Sequence, residues 1–362
     1  MAEYTLMKGN EVIAEAAIRC GCDGYFGYPI TPQSEILETL AVREPWKETG
    51  MVVLQAESEL ASINMVYAGA GCGKKVMTTS SSPGISLMQE GLTYIAGAEL
   101  PCLVINVVRG GPGLGTIQPS QSDYFQATKG GGHGDYRLLV LAPASVQEMH
   151  DFVPLGFELA FKYRNPVMMI SDGVIGQMME KVKLMDYQPR LTNKEIEERY
   201  GSWCTYGKTK DRKRNIITSL ELDSARQEKF NEKLQAKYRE MEAHEVRFEE
   251  ISCDDAEYVF VAYGSSSRIC QKAVDLLRAK GVKVGLLRPI TLFPYPTKAI
   301  QALLSHVKGF MAVEMSAGQM VEDVRLAVNG KVPVVHYGRN GGMIPTPNGV
   351  VEAMEKFIAS IK

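Results

Sequence analysis

The chain has 362 residues, of which 45% are hydrophobic and 23% charged, a balance typical of a globular protein with two or three domains. Its formal net charge of −2 offers no basic field to nucleic acid or to an anionic membrane. No apolar run approaches the ~20 residues of a membrane-spanning helix, and the first residues lack a signal-peptide pattern. We therefore expect a cytoplasmic protein with neither a nucleic-acid nor a membrane partner.

The seven cysteines are scattered, and only Cys20 and Cys22 lie close together in the sequence. Reduced thiols are the expectation for a long cytoplasmic chain. Because no C-x-x-C pair exists, the usual spacings of a zinc ribbon or a cubane iron–sulfur cluster are missing. We predict no metal site on this chain.

Helical and strand-like segments alternate from the N-terminus to about residue 172. Apolar spacing predicts a helix over residues 10–20 and a strand over 25–28. Thr31 fits an N-cap with Pro32 at the first helical position, so the second helix is predicted to start there. Further strands are predicted at 52–55, 75–80, 103–108, 138–141 and 166–170, and helices at 57–67, 85–96 and 145–163. The alternation indicates a parallel sheet with helices on both faces.

Residues 176–252 are rich in Lys, Arg and Glu and poor in apolar side chains. This composition predicts a solvated, mainly helical connecting segment without chemistry. Alternation resumes at residue 258 and predicts a second, smaller α/β domain with strands at 258–263, 283–287, 310–314 and 334–337 and helices at 268–278 and 297–305. We therefore divide the chain into residues 1–175, 176–252 and 253–362.

Three glycine-rich stretches are candidates for ligand loops: RGGPGLG at 109–115, GGGHGD at 130–135 and AGAGCGKK at 68–75. The first has G-x-G-x-G spacing, not the G-x-G-x-x-G of a dinucleotide site. The third has Ala68 and Lys75 where a phosphate-binding P-loop needs Gly and Ser or Thr. Arg109 follows a predicted strand, and ligand sites of parallel sheets gather at that end of the strands.

Residue type alone leaves a structural alternative open at each candidate position. Glu57 and Glu59 fit a first helical turn, where carboxylates favour the helix dipole. N-capping explains Thr31 without any ligand, a structural side chain explains Arg109, and a surface turn explains His133.

Three strings resemble the α-type subunit of 2-oxoacid:ferredoxin oxidoreductases: GYPITPQSE at 27–35, LQAESELASINMVYAGAG at 54–71 and TTSSSPGISLMQEG at 78–91. A fourth, VVRGGPGLGTIQPSQSDYFQATKGGGHGDYR at 107–137, is most similar to the branch that acts on 3-methyl-2-oxobutanoate (2-ketoisovalerate). The resemblance covers nearly the whole chain and is weakest in residues 176–252. It implies an α/β fold: a pyrimidine-binding domain of the thiamine diphosphate-binding fold, then a smaller domain similar to the transketolase C-terminal domain.

The resemblance also implies the site residues. Glu59 matches the catalytic carboxylate that meets N1′ of the cofactor's aminopyrimidine, where an acid makes the cofactor's own amino group basic. Thr31 and Arg109 match the groups that hold the substrate, and a guanidinium suits a planar carboxylate because it donates two parallel hydrogen bonds. The implied cofactor-binding positions are Pro29, Ile30, Glu59 and Ser82.

The implied reaction is an oxidative decarboxylation of anaerobic metabolism, in which 3-methyl-2-oxobutanoate and coenzyme A give acyl-CoA, CO₂ and reduced ferredoxin. No GDG-type magnesium–diphosphate motif and no cluster-binding cysteine array occur in the sequence. The resemblance assigns Mg²⁺ and the diphosphate site to a β subunit, and the iron–sulfur clusters to a ferredoxin-like subunit. The thiamine diphosphate site would thus be shared between chains.

Three alternatives remain open. The same subunit type could act on 2-oxoglutarate or on another 2-oxoacid. A self-contained NAD(P)-linked dehydrogenase is disfavoured because the dinucleotide fingerprint is missing. A non-catalytic scaffold subunit is disfavoured because Glu59, Thr31 and Arg109 are all present.

Overall fold

The computed structural model describes residues 4–208 and 210–361. The first half of the chain contains β1 (Tyr4–Lys8), α1 (Gly9–Arg19), β2 (Gly24–Gly27), α2 (Ser34–Arg43), α3 (Pro45–Glu48), β3 (Val52–Gln55), α4 (Glu59–Gly71), β4 (Val76–Ser80), α5 (Pro83–Gly97), β5 (Cys102–Val108), α6 (Tyr124–Thr128), β6 (Leu139–Leu141), α7 (Val146–Tyr163), β7 (Pro166–Asp172) and α8 (Gly173–Gln177).

The second half contains β8 (Met179–Lys183), α9 (Asn193–Tyr200), α10 (Ser224–His244), β9 (Phe248–Ile251), β10 (Tyr258–Val261), α11 (Gly264–Ala279), β11 (Val284–Pro289), β12 (Thr291–Phe293), α12 (Thr297–Leu303), β13 (Gly309–Glu314), α13 (Met320–Val328), β14 (Val334–Gly338) and α14 (Pro347–Ile361). Among the helices described, none combines the length and the apolar character that crossing a membrane requires.

The first domain is built on a seven-stranded sheet with strand order β12-β6-β7-β5-β4-β2-β3. Its strands are parallel except for β12, which pairs antiparallel with β6. All seven residues of β5 are buried, because helices cover both faces of a parallel sheet. Helices α1, α2 and α7 pack on one face, and α4 and α5 pack on the other. The prediction of a parallel sheet between helices is confirmed.

The second domain is a five-stranded sheet with order β14-β13-β10-β11-β9, in which only β9 runs antiparallel. Helices α11 and α14 share an apolar cluster on one face. Helices α12 and α13 cover the other face and share a cluster with α4 and α5 of the first domain. The α/β character predicted for this part of the chain is confirmed.

Two kinds of contact join the domains: a strand that extends the first sheet, and hydrogen bonds from side chains. Strand β12 belongs to the second half of the sequence but extends the first sheet. Gln121 donates from Nε2 to the Tyr263 carbonyl (2.9 Å), and its Oε1 accepts from the backbone N–H of Met315 (2.9 Å). Buried Asp172 accepts a hydrogen bond from Ser265 across the same joint (2.7 Å).

The charged segment 176–252 contains two strands besides its helices. Strand β8 pairs with β1, and β9 joins the second sheet. The inner face of α10 buries Leu234, Tyr238 and Met241, so this helix packs against the first domain and is not solvated on every side. The domain limits at 175 and 252 stay a prediction.

Candidate functional site

The site residues predicted from the sequence lie around the carboxyl ends of β2, β4 and β5. These three strands are consecutive in the first sheet, with β4 in the middle. Thr31 follows β2, Ser82 follows β4 and Arg109 follows β5 directly. Because these strands are parallel, the loops after them open on the same edge of the sheet. Glu59 enters from α4, which packs against α5.

The predicted N-cap at Thr31 is wrong, because α2 begins at Ser34, with Gln33 at the N-cap position. A turn separates Thr31 from the helix, in which the Gln33 N–H donates to the Ile30 carbonyl (3.0 Å). The Pro32 carbonyl accepts from the side chain of Asn10 (2.7 Å). Thr31 is therefore an exposed loop residue, and N-capping no longer accounts for its side chain. Pro29, which is exposed, and Ile30, which is half-buried, precede it on the same loop.

Glu59 is the first residue of α4, behind the N-cap Ser58, whose Oγ accepts from the Ala61 N–H (3.2 Å). The side chain is only 6% exposed. No hydrogen bond or ion pair to its carboxylate is present among the described residues. Its carboxylate oxygens remain accessible and unpaired, so a polar ligand could hydrogen-bond to them. Glu57, predicted in the same first turn, is exposed and lies outside the helix.

Gly84, in the first turn of α5, allows this helix to approach Glu59. A Cβ atom at position 84 would lie 2.6 Å from Glu59 Oε1 and 2.1 Å from Ser80 Oγ, so both side chains would have to move to admit it. The hydroxyls of Ser80 and Ser81 are buried without hydrogen-bond partners. Buried polar atoms are almost always paired, so unsatisfied ones beside a buried acid mark a place where a polar ligand fits.

Arg109 is 6% exposed and ties two loops together. Its Nη1 donates to the Thr31 carbonyl and its Nη2 to the Leu114 carbonyl, both at 3.0 Å. Its Nε is buried without a partner. Each terminal nitrogen carries two hydrogens, so the guanidinium keeps further donors after these two bonds. Arg109 thus has a structural role and retains capacity to bind an anion.

Ser82 takes part in a buried network behind Arg109. Its hydroxyl donates to Asp123 Oδ2 (2.7 Å) and accepts from the Arg109 backbone N–H (3.1 Å). Asn106 donates to the same carboxylate oxygen (2.9 Å) and accepts from the Ser82 N–H (3.1 Å). Burial raises the pKa of Asp123, although the bonds from Ser82 and Asn106 oppose the rise. The hydroxyl of Ser82 is therefore engaged inside the protein, and cofactor binding by Ser82 stays a prediction.

Sequence reasoning missed the residues that support this site. Asn106 had a visible signal, because it is the one polar residue in the buried strand β5. Asp123, Ser80 and Gly84 had none, since an acid in a loop or a serine at a strand end is common.

Two other polar residues lie apart from these contacts. Asp172 caps α8 by accepting from the N–H groups of Val174 (2.9 Å) and Ile175 (3.3 Å). His133 lines a cavity of about 610 Å³ beside α5 and α10, and none of the predicted site residues lines that cavity. Within the two described ranges, no group of three or more His, Cys, Asp or Glu side chains could hold a metal ion.

Comparison with protein families gives two matches along the chain. Residues 15–250 match the family described as pyruvate flavodoxin/ferredoxin oxidoreductase, thiamine diphosphate-binding. Residues 256–350 match core domain II of pyruvate:ferredoxin oxidoreductase.

Two curated relatives carry different substrate names. The ketoisovalerate oxidoreductase subunit VorB of Methanothermobacter thermautotrophicus is 49% identical, with 97% of each chain covered. The 2-oxoglutarate synthase subunit KorA of Archaeoglobus fulgidus is 37% identical, with 98% of this chain and 99% of the relative covered.

Two solved structures share the fold. A 2-oxoglutarate:ferredoxin oxidoreductase from Magnetococcus marinus, with 2-oxoglutarate, coenzyme A and succinyl-CoA bound, gives a TM-score of 0.85 at 28% identity. The alignment covers 99% of this chain, which spans only 65% of that protein's chain. A split-gene transketolase gives a TM-score of 0.61 at 12% identity, over 98% of this chain and 99% of its own, a likeness of fold alone.

Proposed function

Because the chain belongs to the thiamine diphosphate-binding family of pyruvate flavodoxin/ferredoxin oxidoreductases, we propose that it is the pyrimidine-binding catalytic subunit of a 3-methyl-2-oxobutanoate:ferredoxin oxidoreductase. The reaction joins the acyl group of the 2-oxoacid to coenzyme A, releases CO₂ and passes two electrons, one at a time, to ferredoxin. The observation that carries this proposal is the carboxylate of Glu59, which has no partner among the described residues and lies beside the buried, unsatisfied hydroxyl of Ser80.

These residues fit the aminopyrimidine end of thiamine diphosphate. Glu59 would hold and exchange a proton at N1′, and the neighbouring serine hydroxyls would offer the ring further polar partners. When bound, the cofactor supplies the carbon nucleophile that adds to the 2-oxo group. The Glu59 side chain lies directly against α5 at Gly84.

The 2-oxoacid would be held by Arg109 and Thr31. Arg109 is itself fixed by two carbonyls, and its remaining N–H groups suit a carboxylate. Thr31 is exposed, and Arg109 donates to its carbonyl, so the two proposed substrate ligands are adjacent. Fixing the carboxylate orients the bond to CO₂ for cleavage, and such orientation supplies a large part of a catalyst's rate.

We further propose that the site is completed by other subunits in a cytoplasmic complex. The sequence lacks a magnesium–diphosphate motif and a cysteine array, so a β subunit would bind Mg²⁺ and the diphosphate, and a ferredoxin-like subunit would carry the iron–sulfur clusters. Exposed apolar side chains on the two helices beside Glu59, namely Leu60 on α4 and Leu87 and Tyr94 on α5, support a covered surface there.

The second candidate is the same reaction with 2-oxoglutarate. It is supported by the relative named for 2-oxoglutarate at 37% identity. The relative named for ketoisovalerate is closer, at 49%. A second carboxylate would also need a further cation, because an unpaired charge in a closed site is costly.

Co-purification of the complex from its native source, followed by viologen-dye reduction with coenzyme A and a panel of 2-oxoacids, separates the two substrates. We expect a higher kcat/KM for 3-methyl-2-oxobutanoate than for 2-oxoglutarate. A higher kcat/KM for 2-oxoglutarate would contradict the substrate assignment and leave the reaction type intact.

A further inference from the structure

The loop that carries Arg109 is closed on itself. Arg109 forms an isolated bridge with Pro119. Within the loop, the Gly110 N–H donates to the Gln118 carbonyl (3.0 Å) and the Thr116 N–H to the Gly110 carbonyl (2.8 Å). The Leu114 carbonyl at its tip accepts from Arg109 Nη2 (3.0 Å). The position of the guanidinium therefore depends on the path of residues 109–119, which we call the clamp loop.

The second domain contacts this loop at the Gly341–Gly342 peptide. Gly342 follows β14 in the sequence and has φ +92°, a conformation that glycine adopts without strain. A Cβ at position 342 would lie 2.4 Å from Gln118 Cβ and 3.1 Å from Thr116 Cγ2. A Cβ on Gly110, on the facing side, would lie 3.2 Å from the Gly342 nitrogen. The two backbones are in direct contact, with no room for a side chain between them.

The clamp loop lacks a comparable support on its outer side. Leu114 is 82% exposed and Ile117 is 56% exposed, so apolar packing does not hold the tip. The segment that presents Gly342 is anchored instead, because the Arg339 N–H donates to the carbonyl of Glu314 at the end of β13 (3.3 Å). The contact at Gly342 therefore connects the clamp loop to β13 of the second domain.

We propose that Gly342 is a positioning residue for substrate binding: by packing on the clamp loop, the second domain sets the position of the Arg109 guanidinium. The inference rests on the proposed role of Arg109 toward the 2-oxoacid. The second domain then has a part in orienting the substrate.

The test compares Gly342→Ala with Gly341→Ala in the assembled complex. Gly341 also has a positive φ (+62°), but a Cβ there meets no atom within 4 Å. Both variants incur backbone strain, and only Gly342→Ala pushes on the clamp loop. We expect Gly342→Ala alone to lower kcat/KM for the 2-oxoacid on the order of 10- to 100-fold, with the KM for coenzyme A unchanged. Equal kcat/KM values for the two variants would overturn the proposal.

A rescue variant covers the case in which Gly342→Ala folds poorly. Gln118→Gly removes the Cβ that the new methyl group would strike, and the Gln118 side chain is exposed. Combined with Gly342→Ala, it should restore most of the lost kcat/KM, and failure to restore it counts against the steric route.

Arg109→Lys, measured in parallel, separates this inference from the proposed function. If Arg109→Lys lowers kcat/KM and Gly342→Ala does not, the positioning role alone is wrong. If neither variant changes kcat/KM, the assignment of Arg109 to the substrate fails, and the inference fails with it. If only Gly342→Ala lowers it, Gly342 does not act through Arg109 and the proposal is likewise overturned.

Discussion

Glu59 is the residue on which the proposed chemistry most depends, since the residue is 6% exposed and its carboxylate lacks a partner among the described residues. Glu59→Gln preserves size and hydrogen bonding but cannot exchange a proton with N1′. We expect the folded complex to lose about 10²–10⁴-fold in kcat, the range for a positioned acid or base. Viologen reduction, and exchange of the cofactor's C2 proton observed by NMR, measure this loss.

Glu57→Gln is the matched control, because Glu57 is exposed and lies outside α4. It should retain the activity of the native complex within about twofold, since surface substitutions change stability by only ~0.5 kcal/mol. Native-like C2 exchange in Glu59→Gln, or an equal loss in Glu57→Gln, would remove Glu59 from its assigned role.

Arg109→Lys tests the planar guanidinium. A single ammonium cannot reproduce the fork that reaches the Thr31 and Leu114 carbonyls and still presents two parallel donors to a carboxylate. We expect kcat/KM for the 2-oxoacid to fall by the equivalent of about 1–3 kcal/mol, together with a lower melting temperature. If activity per folded molecule stays native and only the melting temperature falls, Arg109 is a structural residue.

The positions of individual site residues could be predicted from the sequence better than the contacts they make. Thr31, Glu59 and Arg109 could be matched through motif strings, and the Thr31 loop and Arg109 do meet in the structure. The N-cap assigned to Thr31 failed because a side chain distant in the sequence, Asn10, takes the Pro32 carbonyl. The unsatisfied hydroxyls of Ser80 and Ser81 depend on tertiary burial, which local sequence does not encode.

Among the elements, α10 shows how a charged helix is held against the first domain. Glu99 accepts from Lys237 (3.2 Å) and from Lys233, both on α10. Burial alone would raise the pKa of Glu99, but these two lysines outweigh it and lower the pKa below its ordinary 4.5. A carboxyl with a lowered pKa in the folded state stabilises the protein above its unfolded pKa, and this contribution disappears as the pH falls through the folded pKa.

We therefore predict that Glu99→Gln lowers the free energy of unfolding by about 1–2 kcal/mol at pH 7. Most of this should come from buried Lys237, since the largely exposed Lys233 is screened by solvent. The difference from the native chain should narrow below pH 4.5, as urea unfolding at several pH values will measure. Glu198→Gln, which breaks an exposed pair with Lys194, is the control with little expected effect. A Glu99→Gln difference that widens on acidification would contradict the assignment.

Element prediction succeeded for the main parallel strands of both sheets, but it missed short edge strands and two helices of the second domain. Strand β5 is the strand predicted at 103–108 with Cys102 added, because six of its seven buried side chains are apolar. Strands β1, β8, β9 and β12 were missed, since three to five residues at an antiparallel edge carry no distinctive pattern. Helices α13 and α14 were also not predicted. The burial of Leu234, Tyr238 and Met241 on α10 was hidden by the charges between them.

For the whole molecule, the central claim is that this chain supplies only half of a thiamine diphosphate site. A larger and then a smaller α/β domain follow from the alternating elements, but the strand orders and the joint through β12, Gln121 and Asp172 depend on contacts distant in the sequence. Nothing in a single sequence reveals how partner chains close the site. The claim must therefore be tested on the chain with and without its partners.

The most direct test measures coenzyme A-dependent viologen reduction with 3-methyl-2-oxobutanoate by the isolated chain and by the native complex, with bound thiamine diphosphate, iron and sulfide quantified in both preparations. We predict that the complex turns over and holds the cofactor and clusters, whereas the isolated chain does neither and binds thiamine diphosphate poorly. Turnover by the isolated chain, or stoichiometric iron and sulfide within it, would contradict the half-site account.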